Sequence, residues 1–93
     1  MAEASDDGQL SVLELGQAAL ETVGQLTGRR PEAVTGIEWD GEHWQVQVDV
    51  VELERIPNTT DVLATYVVQL DQDGTLHGYQ RTARFARGQV GGD

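Results

Sequence analysis

The sequence predicts an α+β domain: an N-terminal helix packed on one face of a three- to four-stranded antiparallel meander sheet. Three observations predict it. Residues 44–50 and 62–70 alternate at a period of two, the mark of strands with one buried and one wet face. Residues 11–28 carry apolar side chains at three- and four-residue steps between helix start and stop signals. Short turn sequences join the strand stretches, as antiparallel neighbours require.

Taken in order, Met1 to Gly8 (MAEASDDG) is small and acidic and reads as a disordered terminus. Ser11 and Glu14 make an S-x-x-E capping box. Val12, Leu15, Ala19, Val23 and Leu26 form one apolar stripe, widened by Leu13 and Leu20. Gly28 supplies a left-handed stop, Arg29 and Arg30 suit the negative end of the helix dipole, and Pro31 blocks continuation. Gly16 and Gly24 each weaken the helix by about 1 kcal/mol relative to alanine.

Val34 to Asp40 reads as a short strand with Ile37 and Trp39 on one face, and Asp40-Gly41 as a hairpin turn. In the next strand Trp44, Val46, Val48 and Val50 share a face opposite His43, Gln45, Gln47 and Asp49. The phase slips after Val50. That predicts either a β-bulge or sharp twist near Val50–Val51, or a strand end buried on both faces. The ladder should stop near Ile56, because Pro57 has no N–H and restricts its predecessor. Val62, Ala64, Tyr66, Val68 and Leu70 form the buried face of the following strand. Asp71 to Gly74 is a second turn, and Leu76 to about Ala86 a last strand of poor alternation. The organisation expected is a disordered 1–8, one domain over 9–88 and a flexible tail over 89–93.

Sixteen acidic residues stand against six basic ones, all arginine, for a formal net charge of -10. That balance disfavours nucleic acid and anionic membranes. No apolar run approaches the about 18 residues of a membrane span, and the acidic start is unlike a secretory signal. A soluble intracellular protein is expected. With no cysteine there is no disulfide, thiolate metal site or cysteine nucleophile.

Motifs for chemistry are thin. Asp71-Gln72-Asp73-Gly74 resembles a calcium loop superficially, but aligning Gly74 to the loop glycine leaves Gln80 where the bidentate glutamate belongs, so a plain turn is the better reading. His43 and His77 lie beside turns with no third ligand spaced to join them. Of the two serines, Ser11 is a helix cap, and a serine triad has nothing to build on. No catalytic, cofactor-binding or metal-binding residue is expected. Arg81, Arg84 and Arg87, interleaved with Tyr79 and Phe85, form the one basic cluster.

One family carries this pattern of residues. Val51-Glu52-Leu53-Glu54-Arg55-Ile56-Pro57, then Asp61, Leu63-Ala64-Thr65-Tyr66, the Asp71–Gly74 turn, Tyr79-Gln80-Arg81, Arg84 and Arg87-Gly88-Gln89 together resemble the gas vesicle protein O (GvpO) family over about residues 34–89. Phe85 stands where tyrosine is expected, and the helix matches only in type. The order of elements also looks like that of PepSY-type domains. The resemblance implies a non-enzymatic accessory protein of gas vesicle formation, acting in the cytoplasm by binding other gas vesicle proteins during shell assembly. Its partner-binding residues are expected at Arg55, Pro57, Tyr79, Arg81, Arg84 and Arg87, since arginine and tyrosine are enriched at interface hot spots. An internal salt bridge from Arg55 to Glu54 or Asp61 is the alternative for that residue. Two competing functions remain: a small ligand-binding or enzymatic domain, marked by an apolar pocket with His43 or His77 pointing in, and an RNA-binding regulator of gas vesicle gene expression, marked by a basic patch uninterrupted by acids.

Overall fold

The computed structural model describes residues 10–87. The expectations for residues 1–8 and 89–93 therefore lie outside the described residues. Helix α1 (Val12–Thr27) is followed by strands β1 (Arg30–Trp39), β2 (Trp44–Leu53), β3 (Val62–Leu70) and β4 (Leu76–Ala86), with a short 3-10 turn at Asn58–Thr60. The strands form one antiparallel sheet in the order β1-β2-β3-β4. This is the predicted helix-plus-meander, with four strands.

Helix α1 forms where its punctuation places it. Ser11 accepts the Glu14 N–H at 3.1 Å and Glu14 accepts the Ser11 N–H at 2.8 Å, a complete capping box. Gly28 ends the helix at φ 68°, and its N–H donates to the Gly24 carbonyl. Leu15, Ala19 and Val23 are fully buried against Val46, Val48, Val50, Ala64, Val68 and Leu70. The ends of the predicted stripe are not buried: Val12, Leu13 and Leu26 are exposed. Val12 and Leu13 instead line an apolar groove with Val34 and Ile37 of the first strand. The glycines on the inner face of α1 allow close approach. A Cβ on Gly24 would sit 3.3 Å from the Pro31 ring, and one on Gly16 would sit 3.4 Å from Ile37.

Strand β1 starts earlier than predicted. Pro31 not only stops the helix but enters the sheet opposite Val50, on an edge strand where a missing N–H is tolerated. Two register shifts leave Glu32 and Thr35 as extra residues, so Pro31, Val34 and Ile37 face the helix at steps of three. Strand β4 does the same. Shifts at His77 and Thr82 put Leu76, Tyr79, Arg81 and Arg84 opposite Leu70, Val68, Tyr66 and Ala64, on the helix side of the sheet. These bulges are why β4 alternates poorly in the sequence. They also bend both edges, which discourages edge-to-edge pairing.

The phase slip in β2 is a bulge one residue later than expected. The shift falls between Val51 and Leu53, with Glu52 as the extra residue, and Val50 and Val51 are both buried. Both readings of the slip therefore hold. Val51 packs on the far face beside Leu63, whose β4 partner is Phe85. Asp40 organises the β1–β2 turn by accepting the Glu42 and His43 N–H groups at 2.8 and 2.7 Å and Gln45 Nε2 at 2.6 Å. These bonds, the two backbone ones first, lower its pKa to about 2.

Candidate partner-binding surface

The helix rests on β1, β2 and β3 and leaves the same face of β4 open. Tyr79 is exposed there and its ring packs beside Tyr66, with centroids 6.1 Å apart. Arg81 and Arg84 follow on the same row. Both converge on Glu52, which the β2 bulge turns toward them. Arg81 Nη1 donates to Glu52 Oε2 at 2.7 Å. Arg84 Nε stands 2.7 Å from Oε1, an ion pair without hydrogen-bond alignment, since that oxygen accepts no hydrogen bond. A third arginine, Arg29, donates to the Glu52 carbonyl. The Glu52 side chain is 11% exposed, while Arg81 and Arg84 are 48% and 57% exposed. One largely buried carboxylate thus orients two half-exposed guanidinium groups.

Arg87 sits in a different arrangement. Its Nη1 and Nη2 donate to Glu32 at 2.7 and 2.8 Å, and Nη2 reaches Asp61 Oδ2 at 3.4 Å. Its backbone N–H donates to the Asp61 carbonyl. The end of β4 is thereby clasped to the bulge of β1. The hydrogen bonds from Arg87 hold the Glu32 carboxyl below the usual range, and those to Glu32 raise the Arg87 pKa. Arg87 is the least exposed of the three arginines of β4 and its end.

The Arg55–Pro57 segment is a loop between β2 and the 3-10 turn, with a cis Ile56–Pro57 bond. Arg55 and Pro57 are exposed, and Ile56 between them is 100% exposed. Asp61 braces this loop from inside: it is 2% exposed and accepts the Arg55 N–H at 2.8 Å. Neither expected Arg55 salt bridge forms. Glu54 pairs with Arg30 at 3.0 Å, and Asp61 pairs with Arg87.

The structure therefore brings Tyr79, Arg81 and Arg84 together, puts Arg87 in the clasp, and sets Arg55 and Pro57 on a loop beyond Glu52. Sequence reasoning missed Glu52 and Asp61 as organisers. The only local signal was the phase slip at Glu52; nothing local marks Asp61, beyond its place in a turn.

The marks of the two competing functions are not met in the expected form. The apolar groove lies between α1 and β1, lined by Val12, Leu13, Gly16, Leu20, Val34 and Ile37, and neither histidine lines it. Acids interrupt the arginine cluster at Glu52, Glu32 and Asp61. The expectation that nothing joins the two histidines fails, because the sheet brings Asp71 to both. Among the described residues, no helix is long and apolar enough to cross a membrane.

Comparison with known proteins points one way. The family model described as "Gas vesicle synthesis protein GvpO" matches residues 1–91. Gas vesicle protein O of Streptomyces sp. (strain CB03234) is 40% identical over 73 residues, covering 78% of this chain and 57% of that protein. Gas vesicle protein O of Haloferax mediterranei is 29% identical over 87 residues, covering 92% of this chain and 62% of its own length. Gas vesicle protein O1 of Halobacterium salinarum is 32% identical over 72 residues, covering 77% and 60%. The chain thus spans about three-fifths of the length of these curated relatives. No solved structure matches it.

Proposed function

Because this chain belongs to the gas vesicle protein O family, we propose that it is a non-enzymatic accessory protein that acts in gas vesicle formation by binding other gas vesicle proteins in the cytoplasm. The observation that carries this reading is the row on the open flank of β4. Tyr79, Arg81 and Arg84 present an aromatic ring and two guanidinium groups, pre-oriented by Tyr66 and Glu52. Arginine side chains already held in place lose less rotamer entropy on binding. Their planar donors suit carboxylate groups on a partner. Arg55, Ile56 and Pro57 form a second contact on the adjoining loop, with Ile56 as an apolar anchor. Arg87 serves the surface by fixing the end of β4.

The test is the double substitution Arg81→Gln/Arg84→Gln, with Arg87 left intact so that the clasp survives. Arg81 and Arg84 are exposed but the Glu52 carboxylate is only 11% exposed, so the variant should lose about 1–3 kcal/mol from the stranded acceptor, and circular dichroism with a thermal melt checks that it stays folded at the assay temperature. In cells that lack the native protein, the variant should fail to restore buoyant vesicles, and co-purification with the other vesicle proteins should fall. A folded variant that restores vesicles fully would remove the β4 flank from the interface.

A further inference from the structure

We propose that His43, Asp71 and His77 form a binding site for one divalent transition-metal ion of the zinc class. The proposal is independent of the partner surface, which lies on the other face of the sheet.

Three chain segments meet at this site. His43 precedes the first residue of β2 and Asp71 follows the last residue of β3, and those two residues, Trp44 and Leu70, are register partners. Trp44 and Leu70 face the helix, so their neighbours His43 and Asp71 fall together on the far face. His77 is the extra residue between the Leu70–Leu76 and Gln69–Gly78 pairs of β3 and β4. That bulge turns its side chain toward the other two.

The spacing suits a metal. Asp71 Oδ1 lies 3.0 Å from His77 Nε2 and 4.0 Å from His43 Nε2. The imidazole centroids are 4.0 Å apart and tilted by 53°. One ligand atom from each side chain lies within 4.8 Å of those of the other two. Metal–ligand bonds of about 2.0–2.2 Å in a tetrahedral site put the ligand atoms about 3.3–3.6 Å apart. The observed distances bracket that figure, and small rotations of His77, which is exposed, and of the Asp71 carboxylate close the triangle. A hydrogen bond between His77 and Asp71 accounts for one edge alone. It leaves a second, half-buried imidazole beside the same carboxylate oxygen.

The donor set selects the ion class. Two imidazole nitrogens and one carboxylate suit Zn²⁺, and likewise Co²⁺, Ni²⁺ and Cu²⁺, with the fourth position open to water. Mg²⁺ and Ca²⁺ favour oxygen donors. A bound ion would tie together the ends of β2, β3 and β4.

The experiment is calorimetric titration of ZnCl₂ into the full chain above the ordinary histidine pKa of about 6.5, with excess MgCl₂ to occupy non-specific carboxylate sites. The expected result is one Zn²⁺ per chain and a higher melting temperature with zinc, as for any ligand that binds only the folded state. His77→Gln and Asp71→Asn should each weaken binding at least about tenfold, since loss of even an outer-shell partner costs 10–100-fold. Both side chains are partly or well exposed, and circular dichroism checks that the variants fold. A further readout needs no variant: Co²⁺ added to the native chain should give the strong visible d–d bands of a tetrahedral site. Zinc binding that is absent, is abolished by Mg²⁺, or is as tight in either variant as in the native chain overturns the proposal, as does an octahedral cobalt spectrum.

Discussion

Leu15→Ala tests the packing that positions both surfaces. Leu15 is 0% exposed and is among the largest fully buried side chains; it sits with Ala19 and Val23 against Val46, Val48, Val50 and Val68. Truncation to alanine removes buried methyl groups and leaves a cavity between helix and sheet, for a cost of about 2–5 kcal/mol. A domain of this size has a stability of about 0.05–0.15 kcal/mol per residue, or about 5–14 kcal/mol. The substitution should therefore remove a large share of it and lower the melting temperature by about 8–40 °C, at about 4–8 °C per kcal/mol. Leu13 is the control. It lies on the same helix but is 67% exposed, so Leu13→Ala should change stability by less than about 0.5 kcal/mol. Urea titrations followed by fluorescence of Trp39 and Trp44 and by far-ultraviolet circular dichroism measure both. Equal costs for the two variants, or a Leu15→Ala cost below about 1 kcal/mol, would refute the assignment of the buried face.

Three further outcomes are expected. Gly74→Ala should destabilise by about 1–3 kcal/mol in thermal melts, because Gly74 has φ 90° and its Cβ would lie 2.7 Å from Leu10 Cδ1; a neutral result would show that the β3–β4 turn adjusts freely. Asp61→Ala should cost about 1–3 kcal/mol, since it strands the Arg55 N–H and removes one of the Arg87 partners; limited proteolysis should then cut at the Arg55–Pro57 loop sooner, and unchanged proteolysis would show that Asp61 does not brace it. Stability should also fall in acid. Glu32, Asp40 and Asp73 have depressed pKa values in the folded state, by hydrogen bonds first from Arg87, the His43 backbone and Thr75 respectively. What such groups contribute is fully present above their unfolded pKa values of about 4 and is lost as pH falls through the folded values. The melting temperature should therefore decline below about pH 4.5, and Glu32→Gln should make that decline shallower; an identical slope in the variant would remove the Arg87–Glu32 pair from the acid response.

The regular parts of this fold are legible in the sequence because each is specified locally. Ser11 and Glu14 cap the helix through a bond pattern four residues long, and Val46, Val48, Val68 and Leu70 declare their face by period two. The helix and the two central strands follow from such signals. The edge strands follow in place, β4 over the predicted Leu76–Ala86 and β1 with an earlier start, but their registers do not. Pro31, Val34 and Ile37 face the core at steps of three because Glu32 and Thr35 are extra residues, and a sequence cannot show which residue a ladder will leave out.

The same irregularity decides where the chemistry sits. Glu32, Glu52 and His77 are all bulged residues, and each anchors a cluster: Glu32 holds Arg87, Glu52 holds Arg81 and Arg84, and His77 meets Asp71 and His43. In strict alternation Glu52 would still share the helix face with Val50, but the ladder beyond it would run straight on to Leu53 and leave no local twist to bring it to two arginines of β4, two strands away. Arg81 and Arg84 differ in sequence by an odd step and share a face only because Thr82 is passed over. Spacing alone would place them on opposite faces of β4, where one carboxylate could not serve both. The proposed partner surface therefore depends on the bulges as much as on the arginines. A substitution that restored regular pairing at Thr82 would separate Arg81 from Arg84 while keeping every charge in place.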